Sequence, residues 1–238
     1  MKSLILAGGF ATRLYPITID KAKALLKFKG KPVINHIVRA IPKNIDVMVT
    51  INKKFKEDFK SWLKTIDIPV EICIEEEENN DQKKGAVSAI DYWIKTKNID
   101  QDLLVIAADN YFEFDLSDLI SHYDGKNPMV AVYDVGDKEK ACEMGKSCQV
   151  GIVTVEKDKI VNFDEKPLAP KSSMIATGIY MLPPRIFPLL SRYCSQGKRD
   201  DMGHFISFLT NVEEVHAFVF DKYWLDIGEE IKRGRLPI

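Results

Sequence analysis

The sequence predicts an α/β fold of three layers, α/β/α, around a mostly parallel, mixed sheet. Two observations carry this. Short continuous apolar runs, typical of strands buried on both faces, alternate through the first half with segments of helical periodicity. No Ser/Gly-rich linker or internal repeat interrupts the 238 residues, so a single domain spanning 1–238 is expected.

Lys2 to Ala7 reads as the first buried strand, stopped by Gly8-Gly9. After a Lys-rich loop, Pro32 opens a helix carrying Val33, Ile34, Ile37, Ala40 and Ile41, with proline tolerated in the first turn. Asp46 to Ile51 is the second strand, and Phe55, Phe59, Trp62 and Leu63 recur at helical spacing. Val70 to Ile74 gives a third strand, Glu75 to Asp81 a polar loop, and Ala86 to Lys97 a helix with Val87, Ile90 and Ile94 on one face. Leu103 to Ala107 is again a short apolar strand. The βα alternation places helices on both faces of a parallel sheet, and ligands in such sheets bind at the carboxyl ends of the strands. The loop after Ala7 and the pair Asp109-Asn110 after Ala107 occupy two such ends.

The second half changes character. Val150 to Val155 and Ile160 to Asp164 flank Lys157-Asp158-Lys159 as a hairpin, and Met174 to Leu182 and Val215 to Phe220 read as further strands. Amphipathic helices over Pro184 to Tyr193 and Met202 to Leu209 lie between them. These elements are expected to extend the same sheet and cover a pocket.

Composition narrows the function. Hydrophobic residues at 45% and charged residues at 29% suit a globular core, and a formal charge of -1 gives no basic footprint for nucleic acid. Cys73, Cys142, Cys148 and Cys194 form no CxxC pair, and the four histidines show no paired-ligand spacing. Neither a zinc site nor a disulfide framework is expected, which favours a cytoplasmic location. The run Leu4-Ile5-Leu6-Ala7 is too short for a signal peptide or a membrane span.

Four segments carry chemistry. Leu6 to Leu14 (LAGGFATRL) is followed by Lys23-Ala24-Leu25-Leu26 and Lys31-Pro32. Glycines after a strand bring backbone N–H groups close to phosphate oxygens, Arg13 can fork onto two of them, and Lys23 adds a point charge. Asp109 ends a buried strand, as a hard oxygen ligand for Mg²⁺ would. Tyr223 to Gly228 (YWLDIG) holds Asp226, and Phe163 to Pro167 (FDEKP) holds Glu165 and Lys166.

Taken together and in this order, the segments resemble the sugar-phosphate nucleotidyltransferases, whose signature is L-x-A-G-G-x-G-T-R-L, then P-K-x-L-L-P and K-P, a strand ending in G-D-N, F-x-E-K-P and W-x-D-x-G. The resemblance runs from Lys2 to about Gly228. It implies a Rossmann-like fold of the nucleotide-diphospho-sugar transferase type. It implies that Asp109 and Asp226 share one Mg²⁺, and that Ala7, Gly8, Gly9, Ala11, Thr12, Arg13, Gly85 and Ser88 bind a nucleoside triphosphate. Asn110, Gly151, Glu165, Lys166, Thr177 and Gly178 would bind a sugar 1-phosphate, with Arg13, Lys23 and Lys166 as the catalytic cations. Ala11 stands where the family has Gly, Ala22 and Lys27 where it has Pro, and Ser88 where a Gln approaches the base; a positive φ at Ala11 would be disfavoured.

Asp109-Asn110 looks most like the glucose-1-phosphate thymidylyltransferases, so dTTP and glucose 1-phosphate are the expected substrates. Mannose-1-phosphate guanylyltransferase and uridylyl- or cytidylyltransferase readings stay open, as does a non-catalytic nucleotide-sugar-binding regulator. Because the sequence stops soon after Asp226, no left-handed β-helix domain is expected, and whether the chain forms a homo-oligomer stays open.

Overall fold

Leu4 and Ile5 are neighbours on one strand, both fully buried, yet they belong to different hydrophobic clusters. A strand alternates its side chains between faces, so the sheet is covered on both sides. In this computed structural model, which describes residues 1–76, 85–142, 148–197 and 201–236, the first half runs β1 (Lys2–Ala7), β2 (Lys27–Phe28), β3 (Lys31–Pro32), α1 (Val33–Ala40), β4 (Asp46–Asn52), α2 (Lys56–Leu63), β5 (Glu71–Glu75), α3 (Ala86–Thr96) and β6 (Leu103–Ala107). The second half runs β7 (Asn110–Phe112), α4 (Leu116–His122), β8 (Met129–Asp134), α5 (Lys138–Ala141), β9 (Gly151–Glu156), β10 (Lys159–Glu165), β11 (Met174–Leu182), α6 (Phe187–Ser195), α7 (Met202–Leu209), β12 (His216–Phe220), β13 (Trp224–Asp226) and α8 (Ile227–Lys232).

Nine strands form one sheet in the order β5-β4-β1-β6-β11-β8-β12-β10-β9. Strands β5, β4, β1 and β6 are parallel, as is the pair β8–β12. Strand β11 runs antiparallel to β6 and β8 and joins the halves. Helices α1, α2 and α4 pack on the face of Ile5, Val49 and Ile106; α3, α6 and α7 pack on the face of Leu4, Met48 and Val105. The mixed three-layer α/β/α architecture is the one the sequence predicts.

The local differences have simple causes. Pro32 is the N-cap of α1 rather than its first helical residue. Glu75 closes β5 instead of opening a loop, and Asp81 lies outside the described residues. The expectation of no disulfide is corrected: Cys142 and Cys148 are bonded, with Cα atoms 4.7 Å apart. Their separation of six residues is not a CxxC spacing, so no local motif announces the bond. That bond removes the cysteine argument for a reducing compartment, while Cys73 and Cys194 are buried and outside any disulfide. Among the described residues no helix is long and apolar enough to cross a membrane.

Candidate functional site

Strands β1 and β6 are neighbours and end together, at Ala7 and Ala107, so the segments that follow them meet. A cleft of about 370 Å³ opens there, and Ala7, Gly8, Gly9, Ala11, Lys23, Gly85, Asp109 and Gly178 all line it. At Gly8 a Cβ would sit 2.5 Å from the Glu75 carboxylate, so the backbone and that side chain approach closely. Ala11 has φ 49 and ψ 39, the left-handed conformation that the family's glycine would adopt without strain. The fully buried Thr18 holds that turn, its hydroxyl donating to the Ala11 carbonyl at 2.8 Å. Beyond it a 3₁₀ turn, Thr12–Leu14, buries Leu14 and leaves Thr12 and Arg13 exposed.

The two predicted metal carboxylates meet by a pairing of remote segments. β7 and β13 run antiparallel with Asn110 opposite Asp226, and the Ile227 N–H donates to the Asp109 carbonyl at 2.9 Å. The indole N–H of Trp224 donates to Asn110 Oδ1 at 2.6 Å across 114 residues of chain. Asp226 also caps α8, accepting from the Glu229 N–H at 3.0 Å. Lys23 Nζ donates to Asp109 Oδ2 in an ion pair about three-quarters buried on both sides. A Cβ on Gly228 would lie 3.0 Å from Lys23 Nζ and 3.2 Å from Asp226 Oδ1, so the first turn of α8 leaves room for this group.

Electrostatics follow from one ammonium facing two acids. Burial raises the Asp109 carboxyl, but the charge and hydrogen bond of Lys23 more than reverse this and hold it below the usual range. Burial, and then the Asp109 charge, push Asp226 up to about 7. Burial lowers Lys23, but Asp109 and then Asp226 outweigh it and raise its pKa. The pair thus carries negative charge that Lys23 does not fully compensate. Hard oxygen donors with uncompensated charge fit a divalent cation such as Mg²⁺. Among the described residues no three His, Cys, Asp or Glu side chains gather as a metal cage. Mg²⁺ suits such a sparse donor set, because it keeps waters and substrate phosphates as its other ligands.

The β9–β10 hairpin carries Glu165 and leads into Lys166, and neither residue lines the cleft. Glu165 pairs in register with Gly151, and a Cβ on Gly203 would fall 1.8 Å from Glu165 Oε2, so α7 packs its first turn onto this carboxylate. Lys166 has φ 46 and its Nζ lies 2.7 Å from Glu165 Oε1 and 3.3 Å from Asp201 Oδ2. Asp201 caps α7 through the His204 N–H at 3.0 Å, and the next residue, Met202, lines the cleft with Tyr180. Burial raises the Tyr180 hydroxyl, and the charges of Glu165, Asp201 and Asp109 raise it further.

Of the predicted site residues, Thr12, Arg13, Ser88, Asn110, Gly151, Glu165, Lys166, Thr177 and Asp226 are not on the cleft wall. Ser88 is absent from the cleft wall; its hydroxyl turns to Cys194 Sγ at 3.8 Å, while Ala86 and Ala89 line the cleft. Thr177 is buried and donates to the Ala131 carbonyl at 2.8 Å. Asn110 accepts from Trp224 and donates to the Ala107 carbonyl at 3.0 Å, which makes it a clamp between β6 and β13. Gly178, with φ +79, is tight against Ala107 and Asn110. Polar and larger residues not anticipated on the cleft wall are Thr50, Glu75 and Met202. Thr50 and Glu75 were findable, since both lie near the carboxyl ends of parallel strands.

A family model for nucleotidyl transferases matches residues 2–230. The bifunctional protein GlmU of Methanocaldococcus jannaschii is 29% identical over 96% of this chain and 51% of its own length. A mannose-1-phosphate guanyltransferase of Pichia angusta is 24% identical over 96% of this chain and 61% of its own. The chain thus spans about half to three-fifths of the curated relatives it matches. Among solved structures, a Bacillus anthracis protein described as a glucose-1-phosphate thymidylyltransferase superposes with TM-score 0.82 at 24% identity, covering 99% of this chain and 93% of that one. A UDP-glucose pyrophosphorylase complexed with UDP-glucose superposes with TM-score 0.74 at 21% identity, covering 97% and 94%.

Proposed function

Because this chain belongs to the nucleotidyl transferase family, we propose that it transfers a nucleoside monophosphate from a nucleoside triphosphate to a sugar 1-phosphate, releasing pyrophosphate, with Mg²⁺ as cofactor. The observation that carries this reading is the half-buried Asp109–Asp226 pair, with Lys23 as its partial counter-charge, at the ends of adjacent strands.

The chemistry asks little proton transfer of the protein. A phosphate monoester has a second pKa of about 6, so the attacking oxygen is already ionised at neutral pH. The barrier is the approach of one anion to a polyanion, which positioning and charge compensation lower. Lys166 holds the sugar phosphate, in exchange for part of its pairing with Glu165 and Asp201. Glu165 then accepts from sugar hydroxyls, and the exposed Arg13 holds the leaving pyrophosphate. Lys23 holds it together with Arg13, in exchange for part of its pairing with Asp109. Asp109 and Asp226 hold Mg²⁺, which supplies positive charge at the reacting phosphates.

The sugar expected from the Asp109-Asn110 motif, glucose, rests on a residue whose side chain serves as a clamp, so substrate identity needs direct measurement. Incubation of the chain with each nucleoside triphosphate and a panel of sugar 1-phosphates, followed by mass spectrometry, should give one NDP-sugar in Mg²⁺ and none in EDTA. Binding without turnover in every combination would turn the reading toward a nucleotide-sugar-binding regulator.

A further inference from the structure

The strand order sets out the cleft as a line. Its wall passes from Glu75 on β5 to Thr50 on β4, to Leu6 and Ala7 on β1, and to Ala107 and Asp109 at β6. The charged end, with Lys23 and Asp109, suits phosphates and metal. The far end is therefore left for the base, which lies beyond the phosphates in any nucleotide. Two groups there stand out. The Glu75 carboxylate lies over Gly8, both oxygens within 2.9 Å of where a Cβ would be. The Thr50 hydroxyl is buried with no hydrogen-bond partner among the described residues, in a residue 1% exposed. A buried polar group without a partner calls for an explanation, and a ligand that completes it is one.

We propose that Glu75 selects the base and that the base it selects is guanine; this rests on the nucleotidyl-transfer reading above. An ionised carboxylate only accepts hydrogen bonds, through two parallel oxygens. Guanine presents two adjacent donors, N1–H and the 2-amino group, and meets both oxygens at once. Uracil and thymine present one N–H between two carbonyls, which a carboxylate repels. Cytosine and adenine offer one amino group beside an unprotonated ring nitrogen, so one oxygen faces a lone pair. The small side chains of Ala86 and Ala89 leave room for a purine against the wall.

Isothermal titration of the full chain in Mg²⁺ with GTP, ITP, UTP, dTTP, CTP and ATP tests this. The account predicts that GTP binds about 10- to 100-fold more tightly than ITP, which lacks only the 2-amino group, the range expected for one bidentate base contact. In Glu75→Gln one acceptor becomes a donor, so the preference for GTP over ITP should collapse while UTP and dTTP gain. Equal binding of GTP and ITP, or tighter binding of any other base by the unaltered chain, overturns the guanine assignment and leaves nucleotidyl transfer standing. An unchanged GTP-to-ITP ratio in Glu75→Gln overturns the role of Glu75. No binding of any triphosphate removes the nucleotide site and this proposal together.

Discussion

Ala11 holds a left-handed backbone that costs an L-residue about 1–2 kcal/mol, and glycine would avoid it at an entropic cost of roughly 0.5–1 kcal/mol. Ala11→Gly should therefore raise thermal stability slightly, by about 1–3 °C in a chain of this size, read by calorimetry. Asp226 gives a pH-dependent counterpart. Its folded-state pKa is raised to about 7 from an ordinary 3.8, so without metal the folded protein holds a proton that the unfolded chain releases. Stability from this group is present at acid pH and falls as pH rises from about 4 through 7. Asp226→Asn in EDTA should lose that decline and melt above the unaltered protein at pH 8. It should also lose the stabilisation that Mg²⁺ gives the unaltered chain. Equal melting points at pH 5 and pH 8 for both proteins would refute the assigned environment.

At the scale of elements, the pairing of β7 with β13 decides whether the carboxylates meet. Trp224→Phe removes the donor to Asn110 Oδ1 and leaves a buried acceptor unsatisfied, at about 1–3 kcal/mol. Chemical denaturation should show that loss, with weaker Mg²⁺ binding as β13 loosens. These two strands are three residues each and lie more than a hundred residues apart, so nothing local in the sequence announces them. By contrast β1, β6 and α7 were legible to within a residue, because a buried strand or an amphipathic helix writes its period into the chain. Strand β8 carries an equally apolar run, Met129 to Tyr133, and follows α4, but the short α4 has too few periodic residues to mark the alternation in the sequence. The motif residues were legible as types, yet their side-chain directions were not. Asn110 and Thr177 satisfy the backbone rather than face the cleft, a choice made by neighbours that only the fold brings near.

For the whole molecule, the mixed sheet and the two-stranded β7–β13 ribbon beside it carry the site between them. The parallel half supplies the glycine loop, Lys23 and Asp109, and the later half supplies Glu165, Lys166 and the strand that delivers Asp226. The central claim is that Asp109 and Asp226 act as one metal-binding unit in nucleotidyl transfer. It is tested most directly by the rate of Mg²⁺-dependent pyrophosphate release in Asp109→Ala, with the substrate pair the unaltered chain turns over. The account predicts a fall of about two to three orders of magnitude, the usual cost of losing one electrostatic stabiliser, with the fold retained. A rate within a few-fold of the unaltered chain would contradict it.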